Sequence, residues 1–278
     1  MRSTCLVFSL ALAACSQAET TPPVLRVCSD PNNLPFSNDK GEGFENKIAE
    51  VIAHDLGETL QYTWMPQRRG FIRNTLKTRS CDLVIGVPAG YDMVRTTKPY
   101  YRSTYVFVSR ADRHLDITSF DDPRLAQLKV GVQITGDDYD NPPAVQALAR
   151  RGLYDRVVGY PVYGDYSKPN PAADIIDGVR HGDVDVAIVW GPLAGYAAKH
   201  GDVPLVLAPV TPAVDPPGGR FTFAIAMGVR KQDRAFKSKI EQVLQRQSAA
   251  IAKILTDYGV PQLPVEAPGK KPTREARL

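Results

Sequence analysis

The sequence predicts an α/β protein built as two lobes around a cleft, with the chain crossing between the lobes twice. Three observations predict this. From Leu25 onward, short apolar runs alternate with stretches of helical periodicity, the pattern of parallel β/α construction. The aromatic and β-branched run KPYYRSTYVFVSR (Lys98 to Arg110) leads out of one such series, and a fresh series begins after it. The loop TPAVDPPGGR (Thr211 to Arg220), dense in Pro and Gly, then leads into a C-terminal portion too short to hold a sheet of its own.

In chain order, LRVC (Leu25 to Cys28) reads as the first strand. Phe44, Ile48, Val51, Ile52 and Leu56 recur at helical spacing, and Gly57 supplies the stop. LQYTW (Leu60 to Trp64) is a second strand, GFIRNTLKTRS (Gly70 to Ser80) a second helix and DLVIGV (Asp82 to Val87) a third strand, which outlines one lobe. KVGV (Lys129 to Val132), VVGYPV (Val157 to Val162), DVDVAIVW (ending at Trp190) and VPLVLAPV (Val203 to Val210) build the second sheet. The helices PPAVQALARRG (Pro142 to Gly152) and PAADIIDGVRHG (Pro171 to Gly182) alternate with them. FTFAIAMGV (Phe221 to Val229) is a returning strand; Phe236, Ile240, Val243 and Leu244 mark an amphipathic helix, and a last helix runs to about Tyr258. The expected division is a signal over 1–20, a first lobe over 21–110 completed by 221–262, a second lobe over 111–220 and a tail over 263–278. The expected hinges lie near Val108 to Asp112 and Pro217 to Phe221.

The N-terminus, MRSTCLVFSLALAACSQAET, has one cation, an apolar core and small residues at its end, which makes it an export signal too short for a stable membrane anchor. Two processing routes stay open: cleavage after Ala18, or use of Leu12 to Cys15 as a lipobox with Cys15 lipidated. No later run of apolar residues is long enough to span a bilayer. The formal charge of +4 is accounted for by Arg2 and by a tail carrying four basic residues against one acid, leaving a near-neutral body without the basic face that nucleic acid requires. Cys28 and Cys81 remain in the exported chain; a disulfide and two buried free thiols are both open readings.

In open α/β sheets ligands meet the C-terminal ends of strands, so the cleft loops are those after the first strand, after DLVIGV, after KVGV and after DVDVAIV. The blocks LRVCSDPNNLPFSNDKGEGFENKIA and CDLVIGV followed by KPYY resemble the periplasmic solute-binding proteins of polar amino acid importers, family 3. The resemblance runs from Leu25 to about Gly259 and implies the type II periplasmic binding protein fold. Within that family, YTWMPQRRGFIRNTLKTRSCDLVIGVPAGYDMVRTTKPYYRSTYVFV and NPAADIIDGVRHGDVDVAIVWGPLAGY resemble the subgroup encoded with quinoprotein methanol dehydrogenases, the MxaJ and XoxJ proteins, with the lanthanide-associated XoxJ branch the nearer match.

Amino acid binders of this family clamp the ligand carboxylate with an arginine shortly before a Phe-Ser-x-Pro-Tyr block; here the block is TTKPY and the arginine place falls on Met93. The acid that pairs with the ligand ammonium falls on Trp190. Both halves of the clamp are therefore replaced, at a cost of a few kcal/mol in charge-assisted bonds to any amino acid. Asp30, Asn33 and Phe36 in the first loop, Met93, Thr135, Gly136 and Asp137 after KVGV, and Trp190 are the candidate cleft residues, each weighed against an ordinary role in a turn or the core. Arg68 and Arg69 are candidates for contact with an acidic partner or plain solvated cations.

His54, His114, His181 and His200 have no ligand spacing, no nucleophile or metalloprotease motif occurs, and Glu45, Asp82 and Asp137 show no visible pairing, so neither catalysis nor a metal is expected. The resemblance implies a monomeric, cofactor-free accessory of a periplasmic PQQ methanol dehydrogenase, with its cytochrome c as a further partner. The alternatives are an importer's receptor for a small solute that is not an amino acid and, more remotely, a dehydratase on the same scaffold.

Overall fold

The computed structural model describes residues 22–135, 141–217 and 219–264. Leaving two-residue strands unnumbered, the first lobe begins with β1 (Val24–Ser29), α1 (Phe44–Leu56), β2 (Thr59–Trp64), α2 (Phe71–Asn74) and β3 (Leu83–Pro88). Then comes β4 (Tyr101–Arg110). The second lobe holds β5 (Val130–Ile134), α3 (Pro143–Arg150), β6 (Val157–Pro161), α4 (Asp174–His181), β7 (Val186–Trp190), α5 (Gly191–His200) and β8 (Leu205–Pro209). The chain returns through β9 (Thr222–Val229) to α6 (Arg234–Arg246) and α7 (Ser248–Asp257).

β1 lies parallel between β2 and β3, and the returning β9 adds antiparallel to β3. In the second lobe β7 pairs parallel with β5, and β5 with β6. The strand common to both sheets is β4. Its first half pairs with β9, ending at Thr104 opposite Thr222, and its second half pairs with β7 and β8, beginning at Tyr105 opposite Trp190. The change of partners therefore falls at Thr104 and Tyr105. The two crossings are bonded to each other, since the Tyr105 N–H donates to the Phe221 carbonyl at 2.7 Å.

α1 shows why the first lobe holds. Phe44, Ile48 and Ile52 form one stripe with no solvent exposure, packed on Leu25, Leu83 and Met227 beneath α6 and α7. Each such side chain contributes on the order of 1.5–3 kcal/mol of apolar burial. Gly57 ends the helix at φ 64°, the left-handed cap that lacks a Cβ penalty. At the other end Asn46 Oδ1 accepts from both Gly43 N and Asn38 N, pinning the long first loop to the helix. The second lobe buries one cluster on each face of its sheet, around Phe107, Leu148 and Ile188 and around Val108, Ile176 and Val189.

One expected helix is much shorter than its pattern. Over 70–80 only Phe71–Asn74 is helical. The Thr75 hydroxyl donates to the Phe71 carbonyl at 2.6 Å and the Thr78 hydroxyl to the Thr75 carbonyl at 2.8 Å, so side chains compete for the acceptors a longer helix would use. Behind this turn Cys28 and Cys81 form a disulfide with Cα atoms 5.4 Å apart.

Candidate functional site

The C-terminal ends of β1, β3 and β7 open onto a cavity of about 450 Å³ between the lobes. Asp30, Asn33 and Phe36 line it from the first loop, Thr135 from the end of β5, and Trp190 from the end of β7. Met93 is not among these: it lies in a neighbouring groove beside Arg69, Arg73 and Tyr91. Gly136 and Asp137 lie outside the described residues, as does Cys15.

Trp190 is half-buried. Its ring lies 5.4 Å from that of Tyr105 at 58° and 5.8 Å from that of Phe223 at 72°, and Tyr105 and Phe223 are 6.4 Å apart. These tilted and edge-on contacts make one aromatic wall at the point where both chain crossings meet. The register explains it: Trp190 is the β7 residue opposite Tyr105, and Phe223 follows the second crossing.

Asp30 is buried and ties the lobes together. Its Oδ1 accepts from Asn32 N at 2.8 Å, and its Oδ2 accepts from Gln67 N at 2.6 Å and from the Tyr166 hydroxyl of the second lobe at 2.5 Å. Loss of hydration and the Asp30 carboxylate together push the Tyr166 phenol well above its usual range. Asn32 repeats the bridge, donating to the Lys168 carbonyl at 2.8 Å and accepting from Asn170 N at 2.9 Å. The Arg68 guanidinium lies 4.4 Å over the Tyr166 ring, and Tyr163 is within 6.0 Å of it. A belt of contacts thus holds the cleft shut.

Glu45, in the first turn of α1, was visible in the sequence only as an unpaired acid. It lines the cavity at 8% exposure, and its carboxyl rests against Gly86, where an added Cβ would sit 1.9 Å from Oε1. Burial, and then the nearby Asp30 charge, push the Glu45 carboxyl up to about 8. Tyr166 and Tyr105 had no signal of their own; Asp30 and Trp190 were found because each ends a strand.

The described lining residues include no Lys, Arg or His, so the cavity offers no fixed cation for a ligand carboxylate. Thr135 N and Oγ1 both donate to Asn141 Oδ1, at 3.2 and 3.3 Å. Asp82 is spent on Arg26 and Arg230, at 2.7 and 2.6 Å. Among the described residues no cluster of His, Cys, Asp and Glu could hold a metal ion, and no helix is long and apolar enough to cross a membrane.

Comparison with known proteins agrees with this geometry. Residues 25–260 match the bacterial extracellular solute-binding proteins, family 3. The chain is 34% identical to Protein MoxJ of Methylorubrum extorquens, covering 91% of this chain and 87% of that one. It is 32% identical to Protein MoxJ of Paracoccus denitrificans, covering 92% and 94%. The crystal structure of the periplasmic binding protein XoxJ from Methylobacterium extorquens AM1 superposes with a TM-score of 0.71 at 39% identity, covering 87% of this chain and all of that one. The fold is that of the type II periplasmic binding proteins, and the chain belongs to family 3 of the bacterial extracellular solute-binding proteins, on the side of the MoxJ and XoxJ relatives.

Proposed function

We propose that this protein is a non-catalytic periplasmic accessory of a PQQ-dependent methanol dehydrogenase of the lanthanide-dependent kind, and that it aids activation or maturation of the enzyme by contact at the interlobe cleft. The observation that carries this reading is Trp190, seated on Tyr105 and Phe223 where amino acid binders of the family place an acid. No described lining residue supplies a cation, so an amino acid's carboxylate would lose its charge-assisted anchor. The aromatic wall suits an apolar side chain of a partner. The likeness to MoxJ and XoxJ, and the export signal, support a periplasmic role beside methanol oxidation. None of the four histidines lines the cavity, and Asp30 is committed to three donors, which supports a binding role over catalysis.

The test is reconstitution. The full mature chain, added at micromolar concentration to the purified dehydrogenase, binds it or raises its active fraction. Absence of both effects removes the reading.

A second reading, a receptor for a small solute that is not an amino acid, is favoured by the closed cavity itself, whose volume matches small-molecule sites. Thermal denaturation against a library of solutes separates it, since a ligand at 100 times its Kd stabilises by about 2.7 kcal/mol.

A further inference from the structure

The cavity has a chemical character that neither role specifies. On one side the rings of Tyr105, Trp190 and Phe223 lie within 5.4–6.4 Å of one another. On another is the carboxyl-bearing Glu45, a residue more than nine-tenths buried that lines the cavity. The strand leaves space for this carboxyl at Gly86, where an added side chain would displace it. The adjacent carboxylate of Asp30 has its donors already, and no described lining residue carries positive charge.

Acidic side chains and electron-rich ring faces in one enclosed space attract a cation with a greasy surface. A metal ion is less well served, because among the described residues no group of three or more His, Cys, Asp or Glu side chains could hold one. An ammonium bearing alkyl groups is served well, since aromatic faces attract it and its shell needs little water.

We propose that this cavity binds a small organic cation, an alkylammonium or methylammonium compound, with its charge opposite Glu45 and its alkyl groups against Tyr105, Trp190 and Phe223. The cavity of about 450 Å³, crossed by the Asp30–Tyr166 bond, is of a size for a free small molecule. The inference does not rest on the dehydrogenase reading: a site of this kind serves an importer's receptor or an accessory that senses a metabolite, and dehydrogenase activation is measured separately.

The acid must ionise to serve as the counter-charge. The groups facing it are Asp30 from the first loop, Tyr100 and Tyr101 from the entry to β4, and Tyr62 from β2, none of them a cation. Cation binding therefore strengthens with pH until Glu45 is ionised without help.

The experiment is calorimetric titration of the mature protein with tetramethylammonium chloride, with tert-butanol as an uncharged molecule of similar shape. The ion binds saturably at about pH 8.5 and roughly tenfold more weakly near pH 6.5, and tert-butanol binds far more weakly than the ion at both. Glu45→Gln weakens the ion at least tenfold and removes the pH dependence; Trp190→Leu, which keeps the carboxyl, weakens it several-fold. A lysine-bearing peptide that binds in preference to the free ion would overturn the choice of a small molecule. No saturable heat at high millimolar ion, equal binding of tert-butanol, or a pH-independent wild type would overturn the proposal as a whole.

Discussion

The Tyr166 hydroxyl of the second lobe donates to Asp30 Oδ2 of the first at 2.5 Å, on the same oxygen that receives Gln67 N at 2.6 Å. This places a charge-assisted bond across the cleft. Closure here draws on the chain's own side chains, and the balance between open and closed forms becomes a property of a few named groups.

Tyr166→Phe removes the donor and leaves the ring under Arg68. A hydrogen bond to a charged acceptor contributes about 1.5–3 kcal/mol, enough to move the open population by roughly tenfold or more. Small-angle scattering should report a larger radius of gyration for the variant than for the wild type. An unchanged scattering curve would remove the belt's role in closure.

Glu45 makes stability depend on pH in a direction opposite to most carboxyls. Its folded value of about 8 lies above the ordinary value of 4.5, so the folded state holds a proton that the unfolded state has released. Stability contributed by the neutral form is complete below about pH 4.5 and declines as pH rises toward 8, by at most about 1.4 kcal/mol per unit. Chemical denaturation of Glu45→Gln should show a flatter profile across this window and a smaller loss above about pH 8. A wild type whose stability rises between pH 6 and 8 by this comparison would contradict the burial argument.

The Cys28–Cys81 bridge closes a loop with a sequence separation of 53. Constraint of the unfolded chain over such a loop is worth about 4 kcal/mol in the loop-entropy account. Replacing both cysteines with alanine, or unfolding under reductant, should lower the unfolding free energy by about 2–4 kcal/mol without opening the cavity, because the bridge lies behind the β1 and β3 ends.

Much of the fold was legible because it rests on local periodicity. The stripe Phe44, Ile48 and Ile52 and the alternation of strand and helix needed no tertiary information, and the end of β7 was enough to put Trp190 at the cavity. Helix 70–80 failed where side-chain hydroxyls at Thr75 and Thr78 took over backbone acceptors, a competition that hydrophobic spacing does not register. The change of sheet partner at Thr104 and Tyr105 was not legible because β4 is one continuous strand and the change depends on strands far away in sequence. Tyr166 gave no signal, and Glu45 showed only as an unpaired acid, for the same reason. Their significance comes from Asp30, which is 136 residues from the first, and from a strand glycine at position 86.

The central claim is that a dehydrogenase, not an amino acid, is what this cleft serves. The direct measurement is the activation of a purified periplasmic PQQ methanol dehydrogenase by the mature protein, wild type against Trp190→Asp, at micromolar concentrations, with the fold of the variant verified by circular dichroism. The account predicts binding or a raised active fraction with the wild type and a loss of at least several-fold with Trp190→Asp. Equal effects from the two proteins, or no effect from either, would contradict it.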